Sequence, residues 1–342
     1  MIITKTPYRT SFFGGGTDYR EWFQENGGSF LSTTIDRHCY ISVRNLPPFF
    51  EKKHRIVWSS IELVDNSDEI SHPLIRAAFK TFEINTGLEL HHQSDLPARA
   101  GLGSSSSFAV GLINAISNLK MQTVSARQLA DAAIYLESVV IGETVGIQDQ
   151  IAAAFGGLNK VLINPDGTYS VTRVPVSAEK LEFFEDHFVL IYTGVSRFAS
   201  KIAKEQVANF SKKRKELKRI SELVDVGFDV LTSGSIEDFG PLLHESWRLK
   251  SGIASGVSPG FVSEIYERAL AAGATGGKVL GAGGGGFMLF FVDPNKKVEL
   301  LKALDEFIAV PYKMSNSGSS LVYSTPDNFT ETSKSGKTFL KY

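Results

Sequence analysis

"LPARAGLGSSSSFAVGLINAI", residues 96–116, combines two glycines and four consecutive serines with an apolar segment. Phe108, Leu112, Ile113 and Ile116 recur at helical spacing, which predicts a helix with one buried stripe. The serines then lie at the helix N-terminus, where backbone N–H groups lack partners and the helix dipole is positive. Because glycines let a ligand approach the backbone closely, this segment predicts an anion-binding site.

The size and charge of the chain limit its classes of function. Its 342 residues, 42% of them hydrophobic, predict about two folded domains. The 36 Lys and Arg balance 37 Asp and Glu, so neither a nucleic acid nor an acidic membrane is an expected partner. A single cysteine, Cys39, excludes an intrachain disulfide, and "MIITKTPYRT" lacks an apolar signal core, so a cytoplasmic location is expected.

The order of elements predicts an α+β protein in both halves. The first half shows short strand-like segments with glycine breaks over residues 1–19, strands at 27–35 and 38–46, the serine-led helix, a helix from Ser125 to about Gly142, and a short helix within residues 146–157. Two further strands are expected within residues 158–174, about a Pro-Asp-Gly turn. "GFMLFFV", residues 286–292, is too short for a membrane helix, which needs roughly 20 residues, and predicts a core strand.

The second half is expected to contain a strand at residues 187–194 and one long helix from Ser196 towards Leu223. Further helices are predicted around residues 236–250 and 258–272, followed by a strand, a glycine loop and a strand over residues 274–293. The basic run "SKKRKELKR", residues 211–219, has no interleaved aromatic residues and predicts a solvated helix face.

Three glycine-rich segments stand out: "FFGGGTDY" at residues 12–19, "ARAGLGSSSS" at 98–107 and "LGAGGGG" at 280–286. The third satisfies a GxGxxG pattern, but a strand follows it where a dinucleotide site needs a helix. Neither of the other two has the Lys-Ser/Thr order of a Walker loop, and the histidine pairs lack zinc-site spacing. Each segment alone is an ordinary turn, so their joint occurrence carries the information.

Together, in this order and spacing, the segments resemble the three motifs of the GHMP kinase superfamily. The matching stretches are "TPYRTSFFGGGTDY" (6–19), "PARAGLGSSSS" (97–107) and "KVLGAGGGGF" (278–287). Within the superfamily, "GGGTDY" and "YTGVSRFAS" (192–200) are most similar to the sugar 1-kinases that include heptose 7-phosphate kinases and fucose kinases. Galactokinases have Glu-His where Gly15 and Gly16 stand here, which argues against galactose as the substrate.

The resemblance implies a two-domain GHMP kinase fold with the active site in the cleft between the halves. Residues 1–180 would form a half like ribosomal protein S5 domain 2, and residues 181–342 a ferredoxin-like half. The implied activity is ATP- and Mg²⁺-dependent phosphorylation of the anomeric hydroxyl of a sugar phosphate, first of all D-glycero-D-manno-heptose 7-phosphate. Such an enzyme would feed nucleotide-activated heptose synthesis for surface polysaccharide.

Two alternatives remain open: a fucose-type hexose 1-kinase, and a catalytically silent regulator of the same fold that binds ATP and sugar. Retention of Arg9, Glu137 and Asp149 together argues against the silent regulator. The sequence does not reveal the oligomeric state.

The resemblance also implies roles for particular residues. Asp149 would face the acceptor hydroxyl with Arg9 paired to it, and Ser105 and Glu137 would hold Mg²⁺, an ion that prefers hard oxygen ligands. The ATP phosphates would be held by Pro97, Gly101, Leu102, Gly103, Ser104, Ser105 and Ser106. The sugar would be bound by Gly14, Gly15, Gly16, Thr17, Asp18, Arg197, Gly283 and Gly284. Each residue alone has an ordinary structural alternative, such as a helix cap, a solvated helix face or a surface cation.

A sugar 7-phosphate would also need cations away from Arg9, because it brings a second phosphate into a cleft that already holds ATP. The sequence offers Arg20, Arg37, His38 and Arg197 near the predicted sugar site, of which Arg197 is favoured.

Overall fold

The computed structural model describes residues 1–47, 49–195, 199–325, 329–331 and 338–340. Its strands are β1 (Ile2–Phe13), β2 (Gly28–Asn45), β3 (His54–Val57), β4 (Ile61–Val64), β5 (Leu88–Ser94), β6 (Asn159–Ile163), β7 (Tyr169–Arg173), β8 (Phe188–Tyr192), β9 (Ala274–Val279), β10 (Phe287–Val292), β11 (Ile308–Val310), β12 (Met314–Ser315), β13 (Ser320–Ser324), β14 (Phe329–Glu331) and β15 (Thr338–Leu340). Its helices are α1 (Arg20–Asn26), α2 (Pro73–Thr81), α3 (Ser104–Leu119), α4 (Ala126–Tyr135), α5 (Gln148–Phe155), α6 (Ala178–Glu185), α7 (Ala199–Asn209), α8 (Arg214–Thr232), α9 (Phe239–Ser251), α10 (Gly260–Ala271) and α11 (Lys297–Ala303).

The β-rich first half forms one large sheet. Its strands run in the order β13-β1-β2-β5-β3-β4. In addition, β6 pairs with β2, and β7 pairs with β6. Strand β2 is continuous where two strands were expected, because the register shift opposite Pro7 and Tyr8 accommodates Asp36 and Arg37 without ending the strand. Helix α3 packs against β1, where the Thr4 hydroxyl donates to the Gly111 carbonyl at 3.0 Å.

A second, four-stranded sheet in the order β11-β8-β10-β9 follows, and helices α9 and α10 contact β9. The chain then returns to the first sheet, because β12 pairs with β2 and β13 pairs with β1. The first sheet therefore includes strands from both ends of the sequence. The proposed division of the chain at residues 180 and 181 remains a prediction.

A cluster of phenylalanines joins the two sheets. The ring centroid of Phe12 on β1 lies 5.2 Å from that of Phe239 on α9, and Phe239 lies 5.8 Å from Phe291 on β10. Phe184 and Phe188 complete the cluster, and all five rings are almost fully buried. This packing fixes α9 against β1, which matters for the site described below.

The α+β class and most predicted elements are confirmed, with two differences in the helices. The single helix expected from Ser196 towards Leu223 is wrong, because α7 ends at Asn209 and a short 3-10 turn, Phe210–Lys212, separates it from α8. The break lets Phe210 pack against Trp22 and Leu217 in a small separate core. The helix predicted to run to Gly142 instead widens into a π-turn, Leu136–Val140. None of the helices in the described part of the chain is long and apolar enough to cross a membrane.

Candidate active site

The serine-rich segment ends in a helix N-terminus with open backbone donors. Gly103, just before α3, has a φ of 75°, a left-handed conformation that favours glycine. No side chain of the described residues caps this end, and the Ser107 amide donates to the Gly103 carbonyl at 2.9 Å. Among the described residues, the amides of Ser104, Ser105 and Ser106 therefore have no acceptor, as the first amides of a helix usually do not. This end of α3 fits an anion.

Other residues of the predicted ATP-binding set contribute differently. The Leu102 side chain lies in the core, while its carbonyl accepts from the Arg9 amide at 3.1 Å. The Ser104 hydroxyl accepts from the Arg99 amide at 3.2 Å, which shapes the loop before the helix. Pro97 is exposed in the turn that precedes the loop.

Glu137 lies in the π-turn and is completely buried. Its Oε1 accepts from the Ser105 hydroxyl at 2.6 Å, and its Oε2 accepts from the Ser106 hydroxyl at 2.8 Å and from Gln150 Nε2 at 2.7 Å. Burial raises the pKa of Glu137 to about 7; the three hydrogen bonds oppose the rise and the charge of Glu143 adds to it. Since Ser105 is exposed, its hydrogen bond connects the accessible N-terminus of α3 with the buried Glu137 carboxylate.

Arg9 and Asp149 form a bidentate ion pair beside the same loop. Arg9 Nε donates to Asp149 Oδ1 at 2.7 Å and Nη2 donates to Oδ2 at 2.6 Å, while Nη1 donates to the Gly101 carbonyl at 2.7 Å. A Cβ atom built on Gly103 would lie 3.2 Å from Asp149 Oδ2 and 3.3 Å from Arg9 Cγ. Arg9 is 4% exposed and Asp149 is 28% exposed, so the carboxylate is the accessible member of the pair. The structure thus brings the predicted catalytic residues into contact with the predicted phosphate loop.

The first glycine segment forms a tight turn against β2. The Thr17 hydroxyl donates to the carbonyls of Gly14 at 2.9 Å and Ser29 at 2.8 Å, and the side chain is completely buried. Gly14 has a φ of 87°, and a Cβ atom there would lie 2.0 Å from the Ser29 carbonyl oxygen. Thr17 and Gly14 therefore serve the turn, and a ligand contact in this segment would fall to Gly15, Gly16 or Asp18.

Asp18 is held against the segment that leads into α5. Its Oδ1 accepts from the Gly16 amide at 2.9 Å, and its carbonyl accepts from the Ile147 amide at 3.1 Å. A Cβ atom on Gly146 would lie 1.9 Å from Asp18 Oδ2, so this close approach requires glycine. Burial raises the pKa of Asp18, the Gly16 hydrogen bond opposes the rise, and the charge of Asp149 adds to it.

The third glycine segment packs against the predicted phosphate loop, residues 97–103. A Cβ atom on Gly101 would lie 2.4 Å from the Leu280 carbonyl oxygen, and the Phe287 amide donates to the Ala100 carbonyl at 3.0 Å. Further along, Gly283 lies against Val257, and the Gly284 amide donates to the Val257 carbonyl at 2.8 Å. The segment supports the loop, and substrate contacts by Gly283 and Gly284 remain a prediction.

The three described residues among the predicted distal-phosphate cations lie on two elements, α1 and β2. Arg20 is exposed at the start of α1. The Arg37 guanidinium donates to the carbonyls of Asp36 and Pro311, and the buried His38 ring lies beside Asp36 and Asp95. These contacts give Arg37 and His38 partners within the fold, and a role in binding a phosphate remains a prediction for them. Arg197 lies outside the described residues.

Lys250 on α9 is a residue of the site that sequence reasoning missed. Its side chain is 7% exposed, and its Nζ donates to the Gly281 carbonyl at 2.6 Å. Burial lowers the pKa of Lys250 to about 8, the charge of Asp18 opposes the fall, and that of Arg9 adds to it. A signal was present, because Leu243, Trp247 and Lys250 recur at helical spacing along the buried face of α9.

Two domains of one known family match the chain. The GHMP kinases N terminal domain matches residues 73–157, and the GHMP kinases C terminal domain matches residues 228–310. The D-glycero-alpha-D-manno-heptose 7-phosphate kinase of Campylobacter jejuni is 31% identical over 315 residues, which cover 89% of this chain and 93% of that protein. The bifunctional fucokinase/GDP-fucose pyrophosphorylase of Arabidopsis thaliana is 25% identical over 338 residues, which cover 91% of this chain and 32% of that protein.

A solved structure shares the fold. The crystal structure of a D-glycero-D-manno-heptose 1-phosphate kinase from Bacteroides thetaiotaomicron superposes with a TM-score of 0.78 at 22% identity. The superposition covers 95% of this chain and 100% of that one.

Proposed function

This chain belongs to the GHMP kinase family and is an ATP-dependent sugar kinase, and we propose that its acceptor is the anomeric hydroxyl of D-glycero-D-manno-heptose 7-phosphate. The observation that supports phosphoryl transfer to a hydroxyl is the Arg9–Asp149 pair, with contacts of 2.6 and 2.7 Å, directly against Gly103 of the predicted phosphate loop. The identity of the acceptor rests on the relatives. A carboxylate held there lies beside the position that the loop offers to the phosphates of ATP. The acceptor would enter on the exposed side of Asp149.

The donor set fits ATP with Mg²⁺. The open amides at the start of α3 suit phosphate oxygens, and the Ser105 hydroxyl and Glu137 carboxylate are the hard oxygen donors that Mg²⁺ prefers. When bound, Mg²⁺ supplies charge neutralisation at the phosphate oxygens. Ser106 and Gln150 hold the second carboxylate oxygen of Glu137 and so fix its orientation.

Asp149 and Arg9 have different roles towards the acceptor. The Asp149 carboxylate accepts the hydrogen bond of the acceptor hydroxyl, aligns its oxygen and receives its proton as transfer proceeds. A loose phosphoryl-transfer transition state needs alignment and charge neutralisation more than early proton removal, so an ion-paired carboxylate suffices. Arg9 adds positive charge next to the transferring group.

The choice of acceptor follows the relatives. The Campylobacter jejuni protein matches over nearly the whole of both chains and is a kinase of heptose 7-phosphate. The fucokinase relative from Arabidopsis thaliana supports a fucose-type hexose as the second candidate. Gly15 and Gly16, which replace the Glu-His of galactokinases, argue against galactose.

A direct assay tests the proposal. The purified protein is incubated with ATP, Mg²⁺ and a panel containing heptose 7-phosphate, unphosphorylated heptose, fucose, galactose and mevalonate, while ADP release is followed. We expect the highest kcat/KM with heptose 7-phosphate and a product phosphorylated at the anomeric carbon by phosphorus NMR. Preference for fucose would replace the acceptor, and ADP release that is independent of every acceptor would overturn the proposal.

A further inference from the structure

Lys250 carries a buried ammonium group that the contacts within the protein use only in part. Its Nζ donates to the Gly281 carbonyl at 2.6 Å, and in the part of the chain that the structure describes no second acceptor lies within hydrogen-bond distance. An ammonium has three N–H donors, so donors remain available for a ligand. The phenylalanine cluster around Phe239 anchors the other end of the same helix, so the position of Lys250 is fixed.

Ser11 on β1 presents a second unused group to the same place. Its side chain is 6% exposed, and its Oγ has no hydrogen-bond partner among the described residues. A buried hydroxyl without a partner is unfavourable, so such a group calls for a ligand or a water. A Cβ atom built on Gly15 would lie 3.4 Å from Lys250 Nζ and 3.9 Å from Ser11 Oγ. The missing side chain of Gly15 therefore leaves a space that both groups face.

Groups of both signs surround this space. The basic side chain of Lys250 lies close enough to interact with Arg9, Asp18 and Asp149, two of which carry carboxyl groups. Burial lowers the pKa of the neighbouring Lys278 well below its usual range, which favours its neutral form. Two carboxyl groups this close do not favour a phosphate dianion. It suits a neutral hydroxyl, which accepts a hydrogen bond from Lys250 and donates one to Ser11 or Asp18.

We propose that Lys250 and Ser11 bind one hydroxyl of the sugar, beside the hydroxyl that is phosphorylated, and that Lys250 thereby determines acceptor specificity. This inference rests on the proposed sugar site between Asp18 and Asp149. It also implies that the distal phosphate of a sugar phosphate is bound elsewhere in the cleft.

The test compares Lys250→Met and Ser11→Ala with Arg248→Met, an exposed cation on the same helix that serves as the matched control. The acceptors are heptose 7-phosphate and its singly deoxygenated analogues. We expect both variants to raise the KM for heptose 7-phosphate at least ~10-fold and to change the KM for ATP less than ~2-fold, because the lost contacts are made to the sugar alone. The Arg248→Met control should keep the wild-type KM for heptose 7-phosphate and for ATP.

The analogue series separates recognition from a structural role. One deoxy analogue should lack the hydroxyl that Lys250 and Ser11 bind. With this analogue, the kcat/KM of the wild type should fall as much as the substitutions lower it with heptose 7-phosphate. The kcat/KM of the variants should not fall further with the same analogue. If the variants have an unchanged KM for the sugar, the inference is overturned. It is also overturned if the KM for ATP and the KM for every analogue rise equally. If Lys250→Met does not fold, as judged by its melting temperature, Ser11→Ala carries the test. A wild type that phosphorylates no sugar in the panel refutes the proposed function, whereas an active wild type with unaffected variants refutes this inference alone.

Discussion

Acidification is expected to weaken the response of the enzyme to Mg²⁺ through Glu137. Burial raises the pKa of this carboxyl group to about 7, so protons compete with the metal for it near neutral pH. The cation binds the ionised carboxylate, which predominates only above that pKa. Metal affinity should therefore fall as the pH falls, whereas a carboxylate with an ordinary pKa would cause no change in this range.

The magnitude follows from the same pKa. Glu137 is about one-tenth ionised at about pH 6 and about nine-tenths ionised at about pH 8, which predicts a ~10-fold difference in apparent Mg²⁺ affinity. The folded pKa lies above the unfolded one, so the folded protein binds more protons between about pH 4.5 and 7. The free energy of unfolding without metal should fall as the pH rises through that window and then level off. Bound Mg²⁺ should restore stability above it.

The assay is a Mg²⁺ titration of the rate of ADP release at both pH values. ATP itself titrates in this range, so the informative quantity is the difference between the wild type and Glu137→Gln. We expect the variant to need more Mg²⁺ and to lose the extra ~10-fold pH dependence, while Glu143→Gln, the matched control, keeps most of it. Ser105→Ala should weaken the metal response at both pH values. The same pH dependence in Glu137→Gln as in the wild type would refute the reasoning.

Three further predictions concern the loop and the ion pair. Asp149→Asn is expected to lower kcat by ~100-fold or more while the KM for ATP is retained, because the charge that aligns the acceptor is lost; near-normal turnover by the folded variant would contradict this. Arg9→Lys should lower kcat by ~10-fold or more in steady-state assays, since one ammonium does not reproduce the parallel bonds to Asp149 and the bond to Gly101; an unaltered kcat would count against the assignment. Gly101→Ala combines a φ of 86° with a Cβ atom 2.4 Å from the Leu280 carbonyl oxygen, so calorimetry should show a loss of about 1–3 kcal/mol in stability, and an unchanged melting temperature would exclude it.

The parts of the site that lie in short glycine-rich segments could be predicted from sequence. A tight turn that a ligand also approaches closely needs glycine at particular positions. Three such segments in a fixed order therefore identify the architecture. The pairing of Arg9 with Asp149 and of Ser105 with Glu137 was expected from the resemblance, and the structure brings both pairs into contact.

The parts that depend on packing between distant segments could not be predicted. The helical spacing of Lys250 with Leu243 and Trp247 could indicate that it is buried, but what it faces depends on the packing of α9 against β1 through Phe12 and Phe239. The π-turn at Glu137 leaves no clear mark on a helical pattern, because one extra residue per turn barely alters the apolar spacing. The return of β13 to β1 likewise depends on pairing across almost the whole chain.

The three hydrogen bonds that fix the Arg9 guanidinium also decide when its conformational entropy is lost. A free arginine side chain has rotamer freedom worth about 2 kcal/mol. Here the rotamer freedom of Arg9 is lost when the chain folds, because Gly101 and Asp149 hold its guanidinium before any substrate binds. The sugar and the nucleotide therefore meet a guanidinium that needs no further ordering, and their binding energy remains available for the transition state.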